Sequence, residues 1–241
     1  MKVLFIASDR MEFRGLLAHA TAVREAEVAA RWSRWATLGE NEALLVANGA
    51  GPNRAAAATD AGLAAFGAAA IVSTGFCGAL SPELEIADLV SATSVETQVG
   101  RGHALPTWPH VVNNLAAAMG PRHFSGAILS IPYVAQTAAE KSNLAVTGAI
   151  AVEMEAAGIA ARAESHGVPL YCIRAVTDLA GETLANDFNK ALRLDGQFDT
   201  ILILKGSLRH PIVRLPELFR LRNRCVRAAH ALGDFFAYSR I

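Results

Sequence analysis

The chain reads as an α/β fold: a central mixed β-sheet flanked by helices, a three-layer sandwich built over residues 1–241 as one domain. Three observations lead there. Apolar runs of strand length alternate with alanine-rich stretches of helical length from end to end. At 241 residues, 52% apolar and 18% charged, the chain can bury a substantial core and is too apolar for disorder. No internal repeat or low-complexity linker divides it.

The strands are expected at Val3–Ala7, Leu44–Asn48, Ala70–Thr74, Leu89–Val95, Ala127–Ser130 and Leu170–Val176. The helices are expected at Arg54–Ala65, Val111–Met119, Ala138–Val146, Glu155–His166, Asn186–Lys205 and Pro216–Gly233. Pro52 sits just ahead of the first helix, and Gly167-Val168-Pro169 stops the one begun at Glu155. Gly102, Pro106 and Pro109 mark residues 100–109 as the expected mobile loop. Met1 to Ala7 has the look of a signal-peptide core, but Asp9 and Arg10 follow at once and no cleavage site is convincing, so it reads as a buried first strand.

Composition narrows the function. The formal net charge is zero, which argues against nucleic acid as the main partner. No apolar run reaches the roughly 18 residues that a spanning helix needs. Cys77, Cys172 and Cys225 are odd in number, far apart and free of CxxC spacing, so they read as reduced thiols in a cytoplasmic protein. His103, His110 and His123 lack metal-ligand spacing and read as loop or surface residues. Charge is uneven: residues 205–241 hold eight Lys or Arg against Glu217 and Asp234. Leu215, Leu218, Phe219, Arg222, Val226 and Ala229 recur there at helical spacing, which predicts a basic amphipathic helix within about residues 209–241. It can pack on the core with a solvated arginine face, dock on an anionic membrane surface or a lipid-linked substrate, or form a nucleic-acid patch. The membrane reading expects that removing residues 209–241 weakens liposome association while sparing soluble substrates.

The chemistry-bearing residues cluster at strand ends. Ala151-Val152-Glu153-Met154-Glu155-Ala156 places two carboxylates where an apolar run becomes an alanine-rich helix, a position suited to gripping a sugar diol, whose two hydroxyls both donate. An acidic first helical turn that merely complements the dipole is the alternative. Arg174-Ala175-Val176-Thr177-Asp178 ends a β run on an acid. A part-buried aspartate has a raised pKa and can protonate a leaving group, or it can simply cap the next helix. Asn48-Gly49-Ala50-Gly51-Pro52-Asn53-Arg54 is a strand-to-helix glycine turn, either a weak anion or sugar site or only a turn. Ser73-Thr74-Gly75-Phe76-Cys77-Gly78-Ala79-Leu80 is another, followed by Ala87-Asp88-Leu89-Val90. Glu12 follows the first strand, and Tyr133-Val134 follows Ile131-Pro132.

Together these motifs resemble the nucleoside phosphorylase and nucleosidase superfamily, above all its methylthioadenosine/S-adenosylhomocysteine nucleosidase branch. The resemblance implies that Glu155 grips the ribose diol with Met154 beneath the sugar and Glu153 beside it. It implies Asp178 as the acid at the purine, oriented by Thr177, and Glu12 as the group that holds and deprotonates water. Tyr133 would stack on the base while Val134 backbone groups read its edge, and Gly75, Phe76 and Gly49 would let backbone approach the nucleoside. In the phosphorylase branch an arginine and a serine hold phosphate; Ser73 and Phe76 stand at those places here, which favours water, with Arg10 and Arg54 as possible phosphate ligands. Ile128-Leu129-Ser130, Ala138-Ala139-Glu140-Lys141, Thr147-Gly148-Ala149 and the basic tail are similar to hopanoid-associated phosphorylases, some of which release adenine from a lipid-linked nucleoside. The implied activity is hydrolysis of a 5′-modified adenosine without metal or organic cofactor, in a homodimer whose 100–110 loop can complete the neighbour's site. Phosphorolysis and a catalytically silent nucleoside- or lipid-binding protein remain as alternatives.

Overall fold

Val3, Leu4, Phe5, Ile6 and Ala7 are all buried, because the strand they form is covered on both faces, and the rest of the architecture is arranged around it. The computed structural model describes residues 1–98, 104–106, 112–113 and 122–240. Twelve strands appear among them: β1 Lys2–Ala7, β2 Thr21–Glu25, β3 Trp32–Leu38, β4 Asn41–Ala47, β5 Ala70–Ala79, β6 Leu89–Thr97, β7 Ala104–Pro106, β8 Val112–Asn113, β9 His123–Ser130, β10 Ala151–Glu153, β11 Leu170–Asp178 and β12 Ser239–Arg240. The helices are α1 Arg14–His19, α2 Pro52–Phe66, α3 Ala138–Ala145, α4 Ala156–His166, α5 Phe188–Ala191, α6 Thr200–Ser207 and α7 Pro211–Tyr238.

Ten strands make one mixed sheet in the order β10-β9-β6-β11-β5-β1-β4-β3-β2, with β7 on β6. β1 runs parallel to both β4 and β5, and β11 runs parallel to β5 but antiparallel to β6. β10 also pairs antiparallel with β5, so β5, β11, β6, β9 and β10 close on one another while the remaining strands extend as an open sheet. The period-2 alternation of β1 divides the core. Leu4 and Ile6 pack with Ala55 and Ala58 of α2 and Ile159 of α4. Val3, Phe5 and Ala7 pack with Leu16 of α1 and Leu232, Phe235 and Phe236 of α7. Helices therefore cover both faces, as expected. On the second face α1 and α7 cross backbone to backbone: a Cβ on Gly15 would lie 1.9 Å from the Ala229 carbonyl oxygen.

The differences from expectation have local causes. The β2–β3 hairpin escaped notice because every residue of β2 is exposed, so it carries no apolar run. Arg24 and Arg34 stack on Trp35 and Trp32 at 5.3 Å and shield that edge. The helix expected over Asn186–Lys205 is two short ones, α5 and α6, capped by Asp187 and Asp199 and separated by a turn in which Gly196 has φ +74°. Of the helix expected over Val111–Met119, residues 112–113 form β8 against β12, and the rest lies outside the described residues. So do the 100–110 loop apart from residues 104–106, and His103 and His110. His123 lies on a strand, 2.7 Å from Ser91 Oγ.

The C-terminal helix is longer than expected, and its apolar stripe runs differently. Phe219 is 68% exposed, whereas Ala228, Ala229, Leu232, Phe235 and Phe236 bury the last turns in the core. Residues 209–241 are therefore no detachable tail. No helix among the described residues is long and apolar enough to cross a membrane.

Candidate active site

The ends of β1, β5, β10 and β11 converge on a cavity of about 360 Å³. Its walls include Glu12, Phe76, Tyr133, Val134, Met154, Glu155, Thr177 and Asp178. Topology makes this convergence inevitable: β1, β5 and β11 are parallel neighbours, so the turns after them open at one end of the sheet.

Glu12 arrives on a 3₁₀ turn, Arg10–Phe13, that follows β1 directly and is capped by Asp9. It is 4% exposed and tightly held. Oε2 accepts from Ser8 N at 2.7 Å, Ser8 Oγ at 3.0 Å and Asp9 N at 3.1 Å, while Oε1 accepts from Phe76 N at 3.1 Å. Burial raises its pKa above the usual range, against the pull of Arg174 and these N–H donors.

Gly75 explains how the turn of β5 accommodates this carboxylate. Its φ is +134°, and a Cβ there would lie 2.6 Å from Glu12 Oε1 and 2.8 Å from Arg174 Nη1. Gly75 therefore makes room for protein groups and does not line the cavity, contrary to the expectation that it admits the ligand. Gly49 is also displaced from its expected place: it packs against the Asp195 carbonyl, and Ala50 lines the cavity instead.

The acidic triplet divides its labour. Glu153, on β10, is 5% exposed and engaged inside the protein. Its Oε2 accepts from Glu155 N at 2.9 Å, Ala156 N at 2.8 Å and Arg174 Nη2 at 2.5 Å and its Oε1 from Ala156 N at 3.1 Å, so although Glu153 borders the cavity its carboxylate is held mainly by the protein. Glu155, at the N-cap of α4, keeps its carboxylate toward the cavity, with Oε1 accepting from Gly51 N at 3.1 Å and Oε2 lying 3.6 Å from Arg174 Nη1. Burial and the neighbouring Glu153 push its pKa up to about 8. Met154 lies between the two on the cavity wall.

Two cations that the motif reading did not single out organise these acids. Arg174, on β11, is fully buried and donates to Thr74 O and Ser73 Oγ at 2.8 Å as well as to Glu153. Burial opposes its charge, and Glu153, Cys172, Glu155 and Glu12 outweigh it and hold its pKa above the ordinary value. Ser73, which stands where the phosphorylase branch has a phosphate ligand, is consumed by this contact and has no exposed surface. Lys141, on α3, is also fully buried; its ammonium bonds Asp178 Oδ2 and, at 2.8 Å, Leu179 O. Both lay inside strings already noted, yet a single Lys or Arg carries no sign of burial in sequence.

Asp178 ends β11 at a register shift, where Gly78 leaves space for its carboxylate. Thr177 Oγ1 lies 3.1 Å from Asp178 Oδ1 and 3.3 Å from Cys77 O. Burial raises the Asp178 pKa, with Lys141 and Thr177 pulling against it. Val134 departs from expectation. Its N–H donates to Asn189 Oδ1 at 2.8 Å and its carbonyl accepts from Asn189 Nδ2 at 2.9 Å, so both groups expected to read a base are engaged by a carboxamide. Gln136 Oε1 accepts from Phe188 N and Asn189 N, which holds α5 in that position. Tyr133 lies beside Val134 on the wall. Neither Arg10 nor Arg54 lines the cavity; among the described residues Arg222 of α7 is its one cationic lining group. Three carboxylates with raised or internally balanced charge around one pocket can give and take protons and accept bonds from a polyol.

The phosphorylase superfamily model matches residues 3–200. An aminodeoxyfutalosine nucleosidase of Campylobacter jejuni is 29% identical over 158 residues, covering 58% of this chain and 69% of that enzyme. A futalosine hydrolase of Streptomyces coelicolor is 35% identical over 161 residues, 57% of this chain and 67% of that one. Among solved structures, an S-adenosylhomocysteine nucleosidase of Streptococcus pyogenes superposes with TM-score 0.68 at 23% identity, over 90% of this chain and 96% of that one. A Helicobacter pylori nucleosidase variant with 5′-methylthioadenosine in its active site superposes with TM-score 0.74 at 18% identity, over 97% of this chain and 95% of that one.

Removing Arg174 strands Glu153 in the interior. Arg174→Met should lower folding stability by about 3–5 kcal/mol, read from denaturant titration, because a buried carboxylate loses its counter-charge. An unchanged midpoint would show that Glu153 finds another partner.

Proposed function

The chain belongs to the phosphorylase superfamily, and from that premise we propose that it is a nucleosidase hydrolysing the N-glycosidic bond of a 5′-modified adenosine to release adenine. The observation that carries this reading is the meeting of Glu12, Glu155 and Asp178 on one cavity of about 360 Å³, within the size range of small-ligand sites.

In the proposed reaction Glu155 accepts both ribose hydroxyls, with Met154 against the sugar and Tyr133 against the purine. Asp178, whose pKa burial raises against the pull of Lys141, passes a proton to N7, so the base leaves neutral. Water attacks C1′ as the bond to N9 breaks, and Glu12 takes the water proton. Lys141 and Thr177 fix the Asp178 carboxyl; Glu153 and Arg174 fix Glu155. Water is favoured over phosphate because a phosphate dianion would meet these carboxylates with only Arg222 to offset it among the described lining residues. For Val134 to read the base edge, the Asn189 carboxamide must swing away; its donor and acceptor match the pattern an adenine edge presents. Phe188, Phe198, Leu218 and Leu221 on the wall support an apolar 5′ substituent, of which a hopanoid-linked adenosine is the extreme case. A homodimer is the assembly this reading expects.

The direct test is product analysis with 5′-methylthioadenosine, S-adenosylhomocysteine and a 5′-alkyl adenosine, with and without phosphate. Free adenine and free sugar at a rate indifferent to phosphate are expected; sugar 1-phosphate formed only with phosphate would overturn hydrolysis. Asp178→Asn and Glu12→Gln should each lower kcat by about 10²–10⁴-fold. Nucleoside affinity of Asp178→Asn should strengthen as pH rises toward about 8, because the diol binds ionised Glu155, and Glu155→Gln should flatten that slope. Asn189→Ala should lower KM by about threefold, since two hydrogen bonds no longer compete with the base.

A further inference from the structure

The corner formed by α6 and the start of α7 has its polarity reversed. Its inner side is polar and fully bonded: Ser207 and Glu217 are buried, Ser207 Oγ donates to Asn186 Oδ1 at 2.7 Å, and Glu217 accepts from Asn186 Nδ2 at 2.6 Å and Ala185 N at 2.7 Å. Arg214 Nη1 ties the two helices together through Gly206 O at 2.8 Å. Its outer side is apolar: Ile201, Leu204, Leu208 and Ile212 are exposed by 66, 47, 66 and 89%, with Phe219 beyond them at 68%. Ile201, Leu204 and Leu208 follow at three and four residues along one face of α6 and its C-cap, and Ile212 continues the exposed apolar surface in the first turn of α7. Because the internal network pins both helices, these side chains cannot turn inward.

We infer that this corner is a docking surface for an anionic lipid bilayer, into which the stripe inserts while the flanking cations meet the headgroups. Charge decides for a bilayer. Every exposed charged side chain between residues 200 and 227 is basic, namely Lys205, Arg209, Arg220, Arg222 and Arg227, and the one acid in that stretch, Glu217, is buried. Apolar insertion with a cationic rim is the pattern of an interfacial helix on anionic lipid, whereas a second copy of this corner would bring like charges together. The corner also adjoins the cavity: Phe198, just before α6, and Leu218, Leu221 and Arg222 of α7 line its wall. Docking therefore sets the cavity beside the membrane surface, where a nucleoside carrying a lipid at its 5′ carbon can reach it without leaving the bilayer. The superfamily match ends at residue 200, where this corner begins.

The test is co-sedimentation of the full chain with vesicles of phosphatidylglycerol and phosphatidylcholine, and with vesicles of phosphatidylcholine alone. Binding to the mixed vesicles, reduced by about 0.5 M salt, is expected. The triple variant Ile201→Asp, Leu204→Asp, Leu208→Asp should bind about ten-fold or more weakly while its circular dichroism and its rate on soluble 5′-methylthioadenosine stay unchanged. The vesicle measurement reads docking whether or not the nucleoside is turned over, so it fails independently of the proposed activity. Absence of vesicle binding by the parent protein, or equal binding by the variant, overturns the inference. No vesicle binding together with a change in oligomeric state of the variant overturns it too, and assigns the corner to a second copy.

Discussion

One buried guanidinium sets the terms for the rest of the site. Arg174 faces Glu153 at 2.5 Å and Glu155 at 3.6 Å, and its charge also acts on Glu12. A single positive charge thus stands among three carboxylates in a dry interior. Burial, which Arg174 only partly offsets, gives Glu12 and Glu155 their raised pKa values, and Glu153 adds to the rise at Glu155.

The fold makes the cluster possible by bringing three elements to one place. β5 pairs with β1, β10 and β11 at once, so Gly75, Glu153 and Arg174, distant in sequence, become neighbours in space. The absence of a side chain at Gly75 then decides whether Glu12 can enter, since any Cβ would occupy its position. Asp178 obeys a parallel logic on the other side of β11, with Gly78 as the space and Lys141 as the counter-charge. Glu12 and Asp178 thus each enter beside a glycine and a buried cation, Arg174 being shared with Glu153 and Glu155 and Lys141 serving Asp178. The two halves are built by the same means from different residues.

The far end of the chain shows the opposite balance. Around the acids, charge is buried and bonded; at the corner of α6 and α7, apolar side chains are exposed and polar ones are buried. Water penalises both arrangements, and both persist because the surrounding network holds them. They share α7: its last turns complete the core through Leu232, Phe235 and Phe236, its middle lines the cavity through Leu218 and Leu221, and its first turn carries the exposed stripe.

The sequence by itself determined the strand-and-helix alternation and the positions of β1, β4, β5, β6, β9 and β11, because these strands carry buried apolar runs that report their burial directly. It also pointed to Glu155 and Asp178, acids placed where apolar runs end, while Glu12 stood out only through the resemblance to a known family. It could not reveal β2, whose residues face solvent, or the break between α5 and α6, which depends on capping and on one left-handed glycine. Nor could it tell that Glu153 and Glu155, two residues apart, face different surroundings, or that Asn189 occupies the backbone groups of Val134. Those outcomes were decided by tertiary structure alone. Much of the burial, counter-charge and hydrogen bonding comes from distant segments, such as Arg174 reaching Thr74 100 residues away, and local pattern does not carry that information.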